Sequence, residues 1–176
     1  MKEITGSVND SCYTAGELPM NIEYLADHPE FLPTIADWQH AEWGHLRPGD
    51  TVEARTARLQ DSCGRAQIPL TVVAFDGRLV LGSASLLRHD MDSRMELTPW
   101  LAGVFVAPEQ RRRGIGAKLV RRIMTEAGAL QVPILYLYTV HSQQFYADLG
   151  WSLQEETGYR EQMVSIMTYR PQSPTQ

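Results

Sequence analysis

The stretch from residue 104 to residue 116 constrains the fold of this chain more than any other. A short apolar strand ends at Pro108, three arginines follow, and two glycines separated by one residue precede a helical pattern. The first turn of a helix has backbone N–H groups without partners and the positive end of the helix dipole. Glycines there let a phosphate approach the backbone, and neighbouring arginines add positive charge. We therefore predict a site for a diphosphate-bearing cofactor, made by Arg111, Arg112, Arg113, Gly114, Ile115, Gly116 and Ala117.

Two common phosphate-binding motifs do not fit this stretch. A dinucleotide-binding Gly-x-Gly-x-x-Gly motif would lie near the start of the chain, with an acidic residue about 20 positions later. A P-loop would need Gly-Lys-Ser or Gly-Lys-Thr, and neither follows these glycines. The alternative to a cofactor site is a basic helix start that is only solvated.

Length and composition indicate one domain. The chain has 176 residues, enough for a full hydrophobic core. No apolar run approaches the roughly 20 residues of a membrane span, and the first residues lack the apolar core of a signal peptide. Cys12 and Cys63 have no metal-ligand spacing, so we interpret them as reduced thiols of a cytoplasmic protein without a metal site. We expect polar tails at residues 1–19 and 171–176 around a domain over residues 20–170.

The charge is unevenly distributed along the chain. The formal net charge at pH 7 is −5, but residues 109–122 carry six basic side chains and one acidic one, so the rest sums to −10. A basic island on an acidic body favours an anionic cofactor with a neutral or cationic second substrate. It argues against a nucleic-acid partner, which usually needs a broad basic face. The alternative is that the acidic charge serves only solubility.

Hydrophobic periodicity and turn signals predict the element order β-α-α-β-β-β-α-β-α-β-β. An apolar strand at residues 100–106, a helix at 114–127 and a strand at 132–138 predict a right-handed crossover between parallel strands. The other predicted elements are strands at residues 21–25, 70–75, 79–87, 151–157 and 163–169, and helices at residues 29–44, 51–66 and 142–149.

Two motifs and the element order resemble a known family. Residues 111–116, Arg-x-x-Gly-x-Gly, resemble the acyl-CoA signature of the GNAT N-acetyltransferase superfamily. Residues 145–151, Phe-Tyr-Ala-Asp-Leu-Gly-Trp, resemble the element that closes many of its acetyl-CoA sites. The resemblance covers about residues 20–170. It implies an α+β class and the GNAT acyl-CoA N-acyltransferase fold, with a mixed central sheet of about seven strands, four helices and splayed central strands.

The resemblance also implies acetyl-CoA as co-substrate and gives roles to individual residues. The pantetheine chain is expected to bond to the backbone of Val104, Phe105 and Val106, where an N–H also stabilises the thioester oxygen. The hydroxyl of Tyr146 is expected to protonate the departing thiolate, since tyrosine is protonated at neutral pH. Thr139 occupies the position at which many members have an asparagine that contacts pantetheine.

Several residues compete for the role of general base. Trp100 occupies the position of the glutamate base in the histone-modifying branch, and a tryptophan cannot take a proton. A base or a water relay is still needed, because only a neutral amine attacks. The candidates are Glu42, Glu96, His45 and His141.

The expected acceptor is a primary amine, on a small molecule or at a peptide N-terminus. We expect it to enter between the first two helices and the loop at residues 89–95, where Asp90, Asp92 and Glu96 favour a cationic amine. Attack is expected to be direct, because neither cysteine lies near a motif. Trp100 keeps a different function open, a non-catalytic acyl-CoA-binding or sensing module. The sequence also leaves a homodimer open.

Overall fold

The apolar run at Trp100–Val106 is the central strand of a seven-stranded mixed sheet in the computed structural model, which describes residues 20–172. Cys12 and most of both predicted tails lie outside these residues. The strands lie in the order β1-β2-β3-β4-β5-β7-β6. They are β1 (Asn21–Tyr24), β2 (Leu70–Asp76), β3 (Leu79–Leu87), β4 (Trp100–Val106), β5 (Leu135–Thr139), β6 (Ser152–Tyr159) and β7 (Gln162–Tyr169).

Four α-helices complete the described part of the chain, in the predicted order. They are α1 (Leu32–Trp43), α2 (Val52–Asp61), α3 (Ile115–Ala129) and α4 (Gln143–Asp148). β4 and β5 are parallel and joined through α3, whereas the other neighbouring strands are antiparallel. The predicted α+β class and mixed sheet are confirmed. Within residues 20–172, none of the helices has the length and apolarity needed to span a bilayer.

The sheet is buried on both faces because helices pack on each. Val72 of β2 packs in a core cluster with Leu119 and Ile123 of α3. The next residue, Val73, packs in a second cluster with Ile35 of α1 and Leu59 of α2. Successive side chains of a strand point to opposite faces, so α3 lies on one side of the sheet and α1 and α2 on the other.

Several predicted boundaries were wrong. The first helix, predicted from residue 29, begins as α1 at Leu32, because Pro29–Phe31 form a 3-10 helix. Gln131 adopts a left-handed conformation with φ 56°, and the N–H of Val132 bonds to the carbonyl of Ala127 at 2.9 Å. These residues therefore end α3, and β5 begins three residues later than predicted. The second helix begins as predicted, with the Thr51 side chain accepting a hydrogen bond from the N–H of Ala54, but it ends five residues before the predicted end.

β4 and β5 diverge from a single point of contact. Within residues 20–172, Trp100 and Tyr136 are the one register pair between them, while β5 pairs with β7 along its whole length. β4 also bulges, since Ser83 of β3 pairs with Phe105 and Ser85 pairs with Ala102. Two residues of β4 thus lie opposite one of β3. The predicted splay of the central strands is confirmed, and it opens a wedge-shaped gap between the two edges.

Candidate active site

The N-terminus of α3 forms an open cradle of backbone N–H groups. Gly114 precedes the helix with φ 76°, a left-handed conformation that glycine adopts without strain. The first helical hydrogen bond runs from Lys118 to the carbonyl of Gly114, so the N–H groups of Ile115, Gly116 and Ala117 have no partner within the helix. A Cβ built on Gly114 would meet nothing within 4 Å. Within residues 20–172, the space beside Gly114 at the start of the helix is therefore open.

Three exposed arginines, Arg111, Arg112 and Arg113, precede the cradle. The Nε of Arg111 donates to the carbonyl of Val106 at 3.1 Å, and its guanidinium lies 5.6 Å from the ring centre of Phe105. These contacts fix the cradle to the end of β4. The Arg113 guanidinium donates a hydrogen bond to the side-chain oxygen of Gln110. The backbone of Arg112 is in the left-handed region, with φ 62°. The side chain of Ile115 is only 4% exposed and belongs to the core, so only the backbone of this predicted site residue is available to a ligand.

The cradle lies beside the end of the gap between β4 and β5. A Cβ on Gly116 would lie 3.6 Å from both Phe145 of α4 and Val106 of β4. These are ordinary van der Waals distances, so α4 and β4 both lie against the first turn of α3. This contact brings together the two motifs that resemble the family, although 28 positions separate Ala117 from Phe145.

A cavity of about 600 Å³ extends from the gap toward α1 and α2. Val104, Thr139 and Tyr146 line it, and so do Glu42, His45 and His141. The structure therefore brings most of the predicted catalytic side chains to one space. Glu96 is exposed and does not line this cavity, and Phe105, Val106 and the cradle residues lie beyond its wall.

Tyr146 lies in the wall of this cavity at the gap between the strands. Its ring makes edge contacts with Phe145, at 5.0 Å between ring centres, and with Trp151, at 6.2 Å. Within residues 20–172, no hydrogen bond of its hydroxyl is present. Burial raises the pKa of Tyr146 to about 12, so the group stays protonated at neutral pH. The hydroxyl is therefore available as a proton donor.

Two positions that depart from the family pattern have structural roles. Trp100 is fully buried, and its indole N–H donates to the carbonyl of Leu97 at 2.7 Å. Its side chain belongs to the core, which explains why no proton acceptor is present there. The hydroxyl oxygen of Thr139 accepts a hydrogen bond from the N–H of Ser142 at 3.0 Å. It therefore shapes the turn into α4, and its hydroxyl proton is left for another partner.

The charge of the cavity differs from the expected one. Of the three acidic residues expected at the acceptor side, only Asp90 lines the cavity. Asp92 lies 3.9 Å from Arg160, and Glu96 is exposed. Sequence reasoning missed four arginines that line the same space, Arg47, Arg55, Arg58 and Arg160. They come from separate segments, so no local pattern identified them.

Asp90 is partly exposed and lies among charged and aromatic groups from several elements. Burial raises the pKa of Asp90 to about 6, although the charges of Arg160, Arg47 and Arg55 act in the opposite direction. Burial, with the charge of Asp90 as the next cause, raises the pKa of Tyr138. A carboxylate that titrates near neutrality in a cleft is typical of a functional group.

Asp50 fixes two of the cavity arginines. Its side chain has no exposed surface and accepts hydrogen bonds from Arg55 at 2.6 Å, from His40 at 3.3 Å and from Arg58. Burial alone would raise the pKa of Asp50, but the bonds from Arg55, Arg58 and His40 lower it to about 2. Asp50 therefore holds α2 and its arginines against the preceding loop.

We expect Asp50→Asn to lower the free energy of unfolding by about 2–3 kcal/mol at pH 7, because a buried charge partner is lost. The folded pKa is below the ordinary value of 3.8, so this stabilisation is present above about pH 4 and is lost as pH falls toward 2. Urea unfolding at pH 7 and pH 3 measures both effects. Asp61→Asn, at an exposed carboxyl in the same helix, is the control. Equal stability of the two variants at pH 7 would contradict the assigned role.

The family model of the acetyltransferase (GNAT) family matches residues 32–151 of the chain. The matched region runs from α1 to the residue after Gly150 and contains the cradle, the gap and Tyr146. The chain therefore belongs to the GNAT acetyltransferase family, and it is an enzyme of acyl transfer. No curated protein sequence is significantly similar to it.

Solved structures of acetyltransferases share this fold. An aminoglycoside 6'-N-acetyltransferase complexed with coenzyme A is 15% identical, with a TM-score of 0.69, and the match covers 89% of this chain and 99% of that one. The yncA protein of Salmonella typhimurium, solved with acetyl-CoA, is 17% identical, with a TM-score of 0.65 and coverage of 89% and 96%. A protein of Exiguobacterium sp. 255-15, also described as an acetyltransferase, is 27% identical, with a TM-score of 0.58 and coverage of 85% and 93%.

Proposed function

We propose that this enzyme transfers an acetyl group from acetyl-CoA to a primary amine by direct attack. The observation that carries the proposal is the cavity in which Tyr146, at the gap between β4 and β5, faces the same space as the polar residues of α1 and α2. The donor would enter from the cradle side and the acceptor from the α1–α2 side. The reacting atoms would then meet beside Tyr146.

The residues present fit a diphosphate-bearing donor. The free N–H groups of Ile115, Gly116 and Ala117 and the positive end of the α3 dipole suit the diphosphate, and Arg111–Arg113 add charge. The gap between β4 and β5 suits an extended pantetheine chain, because the edges of both strands carry main-chain donors and acceptors. An N–H of β4 near Val104 would stabilise negative charge that develops on the thioester oxygen.

The reaction needs two proton transfers. The amine nitrogen bonds to the thioester carbon, and the carbon–sulfur bond breaks. Tyr146 donates its proton to the departing sulfur and is reprotonated from solvent. The proton of the attacking amine passes to a base in the cavity wall, for which Glu42, His45 and His141 are the predicted candidates. Glu96 lies outside this wall and is a weaker candidate.

The geometry does not support a covalent acetyl-enzyme on Cys63. Cys63 does not line the cavity, and its thiol donates to the carbonyl of Leu59 at 3.2 Å. Burial also raises the pKa of Cys63, which lowers its thiolate fraction.

The assay that tests the proposal follows release of free thiol from acetyl-CoA across a panel of primary amines. We expect amine-dependent release and a stoichiometric acetylated product, detected by mass spectrometry. Matched secondary alcohols and tertiary amines are expected to give no product. Binding of acetyl-CoA without thiol release with any amine would contradict the proposal and favour the acyl-CoA-sensing module.

A further inference from the structure

We infer that the acceptor is an amine that also carries an anionic group, held by Arg47 and Arg55 while Asp90 faces its ammonium. The chemical class is the amino acids and related amine-containing acids. This inference rests on the proposed function and names the substrate class of the same cavity. It replaces the cationic acceptor that the sequence favoured.

The first support is the charge of the cavity wall. Four arginines line it, against the two carboxylates Glu42 and Asp90. Asp50, behind the wall, offsets part of this charge through Arg55 and Arg58, and Asp92 lies 3.9 Å from Arg160. With both counted, four arginines meet four carboxylates, so the surroundings of the cavity carry no net negative charge. Charges on the far surface of the protein are screened over about 8 Å at physiological salt. For a bound substrate, the arginines of the wall therefore matter more than the negative charge of the whole chain.

The second support is an unpaired donor in the wall. Arg55 is 14% exposed and donates from Nη2 to Asp50, but its Nε is buried without a hydrogen-bond partner in the described part of the chain. A buried guanidinium donor without a partner costs free energy comparable to a lost hydrogen bond. An anionic group bound at the part of the Arg55 guanidinium that lines the cavity would offset this cost.

The third support is the placement of Arg47 and Asp90. Arg47 is exposed, and its side chain makes no hydrogen bond or ion pair with residues 20–172, although the residue lines the cavity. Asp90 is within reach of the charges of Arg47, Arg55 and Arg160, yet no N–O distance between Asp90 and them is 4 Å or less. These opposite charges face one cavity but do not form ion pairs with each other, so a ligand that carries both a positive and a negative group can bind between them. A zwitterionic acceptor has that charge pattern.

Pairs of acceptors that differ only in the anionic group test the inference. The probes are L-amino acids against their C-terminal amides, and phosphoethanolamine against ethanolamine, so that carboxylate and phosphate are distinguished. We expect kcat/KM at least tenfold higher for the acid of a pair than for its uncharged partner. Equal values, or a preference for the amides and ethanolamine, would overturn the inference while leaving acetyl transfer to amines intact.

Arg47→Gln is the matched variant, because this side chain has no ion pair to lose. We expect it to lower the acid-to-amide ratio of kcat/KM about tenfold, because only the acids carry the group that Arg47 would bind. Arg78→Gln, at an exposed arginine of the β2–β3 turn outside the cavity, is expected to leave the ratio unchanged. An unchanged ratio in Arg47→Gln would contradict the role of this residue. If no amine of the panel causes release of thiol from acetyl-CoA, the proposed function itself is contradicted.

Asp90→Asn separates the ammonium side from the anion side. It is expected to lower kcat/KM at least tenfold for acids and amides alike, since both carry the ammonium.

The groups that face Asp90 are Arg47, Arg55, Arg160 and Tyr138. The folded pKa of Asp90, about 6, is above the ordinary 3.8, so its ionisation destabilises the fold as pH rises from about 4 through 6. Asp90→Asn should therefore have the same Tm as the wild type at pH 8, or a higher one. A lower Tm together with an unchanged kcat/KM would indicate a merely structural role for Asp90 and would contradict its contact with the ammonium.

Discussion

Replacing Tyr146 by phenylalanine is expected to lower kcat for acetyl transfer by about 10²- to 10⁴-fold, the usual range for loss of a general acid. The ring and its contacts with Phe145 and Trp151 remain, so the fold is expected to survive. The Kd for acetyl-CoA should hardly change, because the hydroxyl is needed mainly as the thiolate leaves. Steady-state kinetics should place the loss in kcat rather than KM.

Tyr169→Phe is the matched control for this experiment. Tyr169 packs against the same Trp151, at 5.6 Å between ring centres, and does not line the cavity. Its replacement removes a hydroxyl from the same aromatic cluster without reaching the gap between β4 and β5. If Tyr146→Phe and Tyr169→Phe turn over at the wild-type rate, another group or water protonates the sulfur.

Introducing glutamate at Gly114 is expected to abolish the thermal stabilisation by acetyl-CoA. At 100 times Kd, the ligand should stabilise the wild-type protein by about 2.7 kcal/mol, which corresponds to several degrees in Tm. The new side chain and its negative charge would occupy the cradle. NAD and ATP are expected to raise the Tm of the wild type much less than acetyl-CoA does.

Gly77→Glu controls for the strain of this substitution. Gly77 also has a positive φ, 56°, and a Cβ built there also meets nothing within 4 Å, but it lies in the turn between β2 and β3. Both variants should lose some stability because a side chain is strained in this conformation. Only Gly114→Glu should lose the shift with acetyl-CoA. A folded Gly114→Glu protein that keeps the shift would refute the cradle as the phosphate site.

The features that could be predicted from the sequence are local ones. The core face of α3 repeats every four residues, and Ile115, Leu119, Ile123 and Ala127 are all buried, as this spacing indicates. The cradle could be predicted for the same reason, since its glycines and arginines are adjacent in the chain. Tyr146 depended on the resemblance to a family motif, because a tyrosine in a short helix indicates no role by itself.

The features that could not be predicted depend on which segments meet. Arg47 follows α1, Arg55 lies in α2, and Arg160 lies in the turn between β6 and β7, so only the folded sheet brings them to one cavity. The net charge of the remaining chain indicated an acidic acceptor side. This prediction failed because a sum of charges over residues contains no information about where each side chain lies in the fold. The unpaired Nε of Arg55 likewise depends on the exact position of Asp50, which spacing does not determine.

The divergence of β4 and β5 has a mechanical consequence. One half of the sheet, β1 to β4, and the other, β5 to β7, share main-chain hydrogen bonds only near Trp100 within the described residues, and α3 is their covalent link. The buried indole of Trp100 closes one end of this seam, while the other end is open. An extended ligand bonded to both edges would act as an additional strand that joins the halves. We therefore expect bound acetyl-CoA to limit how far the two halves of the sheet move apart. Amide hydrogen exchange along the facing edges of β4 and β5 is expected to slow when acetyl-CoA binds.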